Sequence, residues 1–209
     1  MARDKTESNI RIRNIAKEEF LEKGFEKASM RDIGKKAGMT QAGLYRHFAS
    51  KEDMFTSLVE PLITKIWSDA ETHENNAYSS FDRTNDSREM TNDNMVKMMK
   101  GIFSEYYDEI RLLVCCSHGT RYENFIHDLV TEETKHTLQA FDYIRASGLY
   151  IREISEDELH VILSAYMTAV LEPVAHNWPL DKALKCLDQV EAFFMPAWEK
   201  LMGDGKENN

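Results

Sequence analysis

The chain has 209 residues, 42% hydrophobic and 30% charged, which is the composition of an ordinary globular protein and excludes collagen-like, low-complexity and disordered classes. No run of ~18 apolar residues occurs and the first residues lack an apolar core, so a membrane partner and an export signal are not expected and the expected location is cytoplasmic. The formal net charge of -10 would exclude a uniformly nucleic-acid-binding surface, but it is unevenly placed: residues 1–60 hold 12 Lys/Arg against 10 Asp/Glu, and residues 27–51 hold Lys27, Arg31, Lys35, Lys36, Arg46 and Lys51 against Asp32 alone.

In chain order, Ile12, Ile15, Ala16 and Phe20 fall at helical spacing and predict a first helix over 7–23. Gly24 and Phe25 read as a left-handed cap with its apolar latch. Ser29, three residues before Asp32, caps a short second helix carrying Met30, Ile33 and Ala37 and ending at Gly38. Gly38 supplies a tight turn, and Thr40 can cap a third helix at once. In that helix, over 40–48, Leu44 and Phe48 are four apart and face inward, which leaves Gln41, Ala42, Tyr45, Arg46 and His47 outward. Gly43 is expected to let this helix pack closely on the second.

Ser50 and Asp53 open a fourth helix with Met54, Leu58 and Leu62 on one face. Pro61 lies inside it, removes one backbone bond and clashes with the Ser57 carbonyl, so a kink or break is expected over 57–61, with Pro61 the candidate hinge. The polar stretch 71–93 reads as a loop, with room for some helix within it. Helices are expected to follow around Met95, Met98, Ile102 and Tyr106, over 108–118, and over 122–146. Ser155 and Glu158 form a capping box before a helix over 159–176, apolar on more than one face, which therefore needs a second covering surface. Leu180, Ala183, Leu184, Leu187, Val190 and Phe194 mark the last helix, and residues 203–209 are expected to be disordered. No alternating strand pattern or repeat occurs. The fold class expected is all-α with about nine helices.

Three cysteines, two adjacent at Cys115 and Cys116 and one at Cys186, offer no zinc spacing and no disulfide framework. A redox role for Cys115 or Cys116, and a nucleophile made with His118, are the other readings of these residues. Neither has the cationic neighbour or third residue that such chemistry needs. No enzyme, cofactor or metal is expected.

Residues 12–62 resemble the N-terminal domain of the TetR family of transcriptional regulators. The resemblance runs through Ala16 and Phe20, Lys23-Gly24-Phe25, Ser29-Met30-Arg31-Asp32-Ile33, Ala37-Gly38, Gly43-Leu44-Tyr45-Arg46-His47-Phe48 and Ser50-Lys51-Glu52. It implies a three-helix, helix-turn-helix DNA-binding domain over 1–53. A larger helical domain over 54–202 would dimerise and enclose a small-molecule effector. A major groove admits one helix, whose N-terminal residues reach base edges. Gln41 suits adenine, Ala42 a thymine methyl, and Tyr45, Arg46 and His47 bases or backbone. Ser29, Arg31, Thr40 and Lys51 are candidate phosphate contacts.

The partners implied are a near-palindromic double-stranded operator, a second copy of the chain contacting through 155–201, and an effector that releases a repressor. A DNA-associated architectural protein without an effector is the alternative. Trp67, Phe103, Tyr106, Tyr107, His118, Tyr122, Phe125, Tyr166 and Met167 are the candidate lining of an effector cavity, on the analogy and on their aromatic content. The excess of carboxylates would suit a cationic effector or a solvated face.

Overall fold

In a computed structural model, which describes residues 2–90 and 94–202, every regular element is helical. The helices are α1 (Ala2–Lys27), α2 (Met30–Lys36), α3 (Gln41–Tyr45), α4 (Lys51–Thr84), α5 (Asn94–Cys115), α6 (Phe125–Ala146), α7 (Glu156–Ala175) and α8 (Leu180–Met202), with one 3-10 turn at Ser87–Met90. Residues 203–209, expected to be disordered, lie outside the described residues. Among those described, no helix is long and apolar enough to cross a membrane, and no cluster of His, Cys, Asp or Glu is placed to hold a metal ion.

The chain forms two compact units. The first comprises Met1–Thr64 and Tyr106–Phe125. Its core is built on Ile12, Ala16 and Phe20 of α1, Ile33 of α2, Leu44 of α3 and Met54, Phe55, Leu58 and Leu62 of α4, all buried. Phe55 stands edge-on to Phe20 and Phe25 at ring distances of 5.3 and 5.5 Å. Such pairs each contribute about 0.5–1.5 kcal/mol beyond the area they bury. The second unit comprises Lys65–Glu105 and Ile126–Asn209, with Phe81, Phe141, Ile144, Ile151, Leu159 and Met202 at its centre.

The caps read from the sequence form. Ser29 accepts from the Asp32 amide at 3.4 Å, Thr40 from that of Gly43 at 3.0 Å, and Ser155 with Glu158 closes a reciprocal capping box. Gly24 has the positive φ expected, 73°, but with ψ at 164° its backbone is not the left-handed helical cap, and one further helical turn carries α1 to Lys27. At the end of α2, Gly38 takes φ +66°, and the amides of Gly38 and Met39 return to the carbonyls of Lys35 and Gly34 at 3.1 and 2.8 Å. This pair of bonds reverses the chain in two residues, so that α3 starts beside α2.

Three expectations are corrected. The polar stretch from residue 71, expected as mainly loop with some helix, is not loop but helix as far as Thr84, where α4 ends. Ala70, His73, Glu74, Ala77, Tyr78 and Phe81 supply its inward stripe, at helical spacing but with small and polar side chains. Nor is α4 broken at Pro61: the helix is continuous from Lys51 to Thr84. The Ser57 carbonyl, which loses its usual donor to the proline, accepts instead from Arg13 of α1 at 2.5 Å. Finally, Gly43 is not the close-approach glycine between α2 and α3. A Cβ there would meet the Thr40 hydroxyl at 3.3 Å, so Gly43 clears the cap of its own helix. Gly34 is the tight position, since a Cβ on it would lie 3.3 Å from the Met39 carbonyl oxygen, which is backbone and cannot turn aside.

Candidate nucleic-acid interface

Five residues make a very short helix, and α3 keeps its shape through its ends and its buried side. Thr40 closes the N-terminal end, while Leu44 and Phe48 are buried in the first unit. Beyond Tyr45 the chain continues as a hydrogen-bonded turn, with the His47 amide donating to Gly43's neighbour Leu44 at 2.9 Å and the Phe48 amide to the same carbonyl at 3.1 Å. The reading segment expected over 40–48 is therefore one helical turn and its continuation. Gln41, Ala42, Tyr45 and Arg46 are all exposed on it, Tyr45 by 46%.

The remaining candidates divide by how far their polar groups are already engaged. Ser29 and Thr40 use their oxygens as cap acceptors, which leaves each hydroxyl hydrogen free to donate. Arg31 is exposed. His47 is half-buried and shares a hydrogen bond between its Nδ1 and Asn9 Oδ1 at 2.6 Å, which ties this segment to α1. Lys51 is engaged most fully. Its ammonium donates to the carbonyls of Phe25, Glu26 and Ala28 at 2.7, 3.1 and 3.2 Å and lies 4.4 Å from the centre of the Phe25 ring. An ammonium has three donors, and all three are used. Burial holds this amine below the usual lysine value, with Glu26 opposing the shift.

Sequence reasoning missed Glu19. It is fully buried on α1 and pairs with Lys23 at 2.5 Å and with Lys36 of α2 at 2.6 Å. Burial pushes its carboxyl up, and the hydrogen bonds from Lys23 and Lys36 outweigh that, so it sits below the ordinary glutamate range. A charged residue on the buried side of an amphipathic helix, four before a lysine, was the available signal. Of the six cations within residues 27–51, Lys36 and Lys51 are thus occupied by the fold. Lys27, Arg31, Lys35 and Arg46 are exposed and make no ion pair among the described residues.

Of the residues expected to line a cavity, Tyr106, Tyr107, His118, Tyr122 and Phe125 belong to the first unit. Tyr122 is buried there with its hydroxyl 2.9 Å from Glu60, and His118 is exposed beside Glu123 at 3.3 Å. Cys115 is exposed and Cys116 buried, and burial raises both thiols, that of Cys116 to about 11. In the second unit Phe103 is fully buried, Trp67 exposed and Met167 half-buried. Tyr166 does line a cavity of about 150 Å³ inside that unit, together with Phe194, Trp198 and two carboxylates, Glu133 and Glu191. Burial, with the charge of Glu191 adding to it, pushes the Tyr166 phenol up to about 12. On α7 and α8, which pack on each other, Val161 and Phe193 are 66% and 76% exposed.

Residues 12–58 match the family described as bacterial regulatory proteins, tetR family. Among curated proteins, the uncharacterized HTH-type transcriptional regulator YdgC of Bacillus subtilis (strain 168) is 38% identical over 60 residues, 29% of this chain and 31% of that protein. YvdT of the same organism, also an uncharacterized HTH-type transcriptional regulator, is 43% identical over 54 residues, 26% of this chain and 28% of its own. The matched segment thus spans about a third of these relatives or less. Among solved structures, NalD of Pseudomonas aeruginosa, the secondary repressor of the MexAB-OprM multidrug efflux pump, superposes with a TM-score of 0.60 over 97% of this chain and 99% of its own at 17% identity. That likeness is one of fold.

Proposed function

We propose that the chain, whose residues 12–58 match the tetR family of bacterial regulatory proteins, is a member of that family and a homodimeric, sequence-specific DNA-binding repressor released from its operator by a small-molecule effector. Residues 1–53 read DNA in this proposal, and residues 54–202 serve dimerisation and effector binding. The observation that carries it is the outward side of α3. Four chemically distinct side chains, Gln41, Ala42, Tyr45 and Arg46, stand exposed on a capped turn whose other side is locked into the core. A helix of that kind fits a major groove, with Gln41 pairing to an adenine edge and Ala42 meeting a thymine methyl. Ser29, Arg31 and Thr40 take phosphates through donors the fold leaves available, His47 positions the segment through Asn9, and Lys51 acts from behind by fixing the end of α1.

Dimerisation is supported by the apolar side chains that α7 and α8 leave uncovered, Val161 and Phe193 foremost, since a second copy is the surface that would cover them. The two reading segments of a dimer would then meet half-sites about one DNA turn, ~34 Å, or a multiple of it apart. An effector that prefers a dimer of different spacing weakens operator binding by its differential affinity for that state.

Selection of duplexes from a random pool by the full chain, in about 150 mM salt where non-specific contacts are weak, tests this reading. The expected result is one near-palindromic sequence whose enrichment is lost on Tyr45→Ala together with Gln41→Ala, with helicity by circular dichroism unchanged. Enrichment of many unrelated duplexes, or a palindrome still selected by the double variant, would overturn it.

A further inference from the structure

The cavity in the second unit carries charge of one sign. Its lining includes Glu133 of α6 and Glu191 of α8, with the rings of Tyr166, Phe194 and Trp198, and contains no lysine or arginine. An adjoining cavity shares Glu133 and His73 with it, adds Glu74, and likewise has no lysine or arginine. Glu74 already faces an imidazole, that of His136, at 3.6 Å. Glu133 makes no hydrogen bond or ion pair among the described residues. Burial pushes its carboxyl above the ordinary value, with His136 opposing and Glu74 adding to the shift. His73 brings no compensating charge, because burial holds its imidazole below the usual histidine range.

A half-buried carboxylate without a partner, facing a largely apolar cavity, carries a desolvation cost, and that cost falls when a counter-charge arrives with the guest. An anionic guest would find no cation to pair with, and a neutral one would leave Glu133 as it is. A cation that brings its own apolar body meets Glu133 and Glu191 with its charge and the three aromatic rings with its flanks, where cation–π attraction adds to burial. A volume near 150 Å³ suits a body of about one ring, since an engineered apolar cavity of ~150 Å³ holds benzene.

We propose that the ligand of this cavity is a small lipophilic cation, an aromatic or alkyl ammonium of about one ring in size, whose charge is met by Glu133 and Glu191. The proposal rests on the effector-binding role given above to residues 54–202, within which this cavity lies, and names the chemical class of that effector.

The test is isothermal titration of the full-length protein, without DNA, with phenyltrimethylammonium, with its neutral carbon isostere tert-butylbenzene, and with benzenesulfonate. The ammonium is expected to bind about tenfold or more tighter than the isostere, the order of preference that cation–π and charge contacts supply, and benzenesulfonate weakest. Glu133→Gln should weaken the ammonium by a similar factor and leave the isostere unchanged, and Glu191→Gln serves if the first variant melts early. No binding by the ammonium, equal or tighter binding of the isostere or the sulfonate, or an unchanged ammonium affinity in the folded variants would overturn the assignment. Operator release is read separately. Ammonium binding that leaves the operator complex intact would defeat effector release and spare the ligand class, and release by the neutral isostere alone would do the reverse.

Discussion

Lys51→Met separates two ways in which a lysine next to a DNA-reading segment can matter. The sequence alone favours a phosphate contact, whereas the structure commits all three ammonium donors to the carbonyls of Phe25, Glu26 and Ala28. Methionine keeps the apolar stem and removes the donors. The Phe25 and Ala28 carbonyls are approached in partly buried surroundings. The Ala28 carbonyl would be left short of a partner at about 1 kcal/mol, and the Phe25 carbonyl, keeping the Ala28 amide at 3.3 Å, at up to about 1 kcal/mol. The Glu26 carbonyl is met in an exposed setting and returns to water at little cost. Loss of the cation over the Phe25 ring adds about 0.5–1 kcal/mol. Destabilisation of about 2–3 kcal/mol follows, with the ammonium's own desolvation, which lowers its pKa, subtracting from it. Urea unfolding followed by circular dichroism reads that loss. The salt dependence of operator binding reads the other possibility, because each phosphate contact contributes about -0.9 to the slope of log K against log salt. A lock leaves the slope of the variant unchanged. Unaltered stability together with a slope reduced by about two per dimer would refute the lock and restore Lys51 to the phosphate.

Two further predictions concern contacts absent from the sequence reading. Glu19→Gln should destabilise the first unit near neutral pH. Because the Glu19 carboxyl lies below its ordinary value of 4.5 in the folded chain, that stabilisation is fully present above 4.5 and disappears as pH falls through the lowered folded value. Urea midpoints of the two proteins should therefore converge on acidification, and a gap that stays constant down to pH ~3 would show that the pair contributes through packing alone. At Pro61, Arg13→Ala should cost about 1 kcal/mol in the native chain and clearly less in a Pro61→Ala background, where an amide at position 61 can bond the Ser57 carbonyl. A double-mutant cycle that is additive to within about 0.3 kcal/mol would refute the substitution of a side-chain donor for the missing backbone one.

What was legible in the sequence was what is local. Ser29, Thr40 and the Ser155 with Glu158 box act on amides three residues away, so the letters alone place them. Leu44 and Phe48 face inward because helical spacing leaves them no alternative once Gly38 and Thr40 set the start of α3. The polar end of α4 was hidden because its inward stripe uses Ala70, His73, Glu74 and Ala77, which a count of apolar residues overlooks. The roles of Lys51 and Arg13 depend on partners 23 to 44 residues away and have no spacing rule to announce them, and Glu19 shows in the sequence only its neighbour Lys23, not Lys36 17 residues on. The cavity was hidden for the same reason. Aromatic content pointed to nine residues, of which Tyr166 lines it, while Glu133, Glu191 and His73 come together only when α4, α6 and α8 are folded.

The use of the cations bears on how such a protein would obtain specificity. A basic stretch of six lysines and arginines looks like an affinity device, yet the fold consumes Lys36 in holding α1 to α2 and Lys51 in holding the end of α1. Lys27, Arg31, Lys35 and Arg46 remain, on a chain whose residues 61–209 carry 26 acidic against 14 basic residues. For a fourfold rise in salt, four phosphate contacts from one copy lose about a factor of 150 in affinity and eight from two copies about 20,000, since the slope scales with the number of phosphates neutralised. One copy alone, with four contacts, is therefore a weak binder, and strong occupancy requires both copies to engage at once. Under the function proposed here this is an advantage for control. An effector need not touch the reading residues, because altering the distance between two copies removes half of the phosphate contacts together with one of the two sets of base contacts.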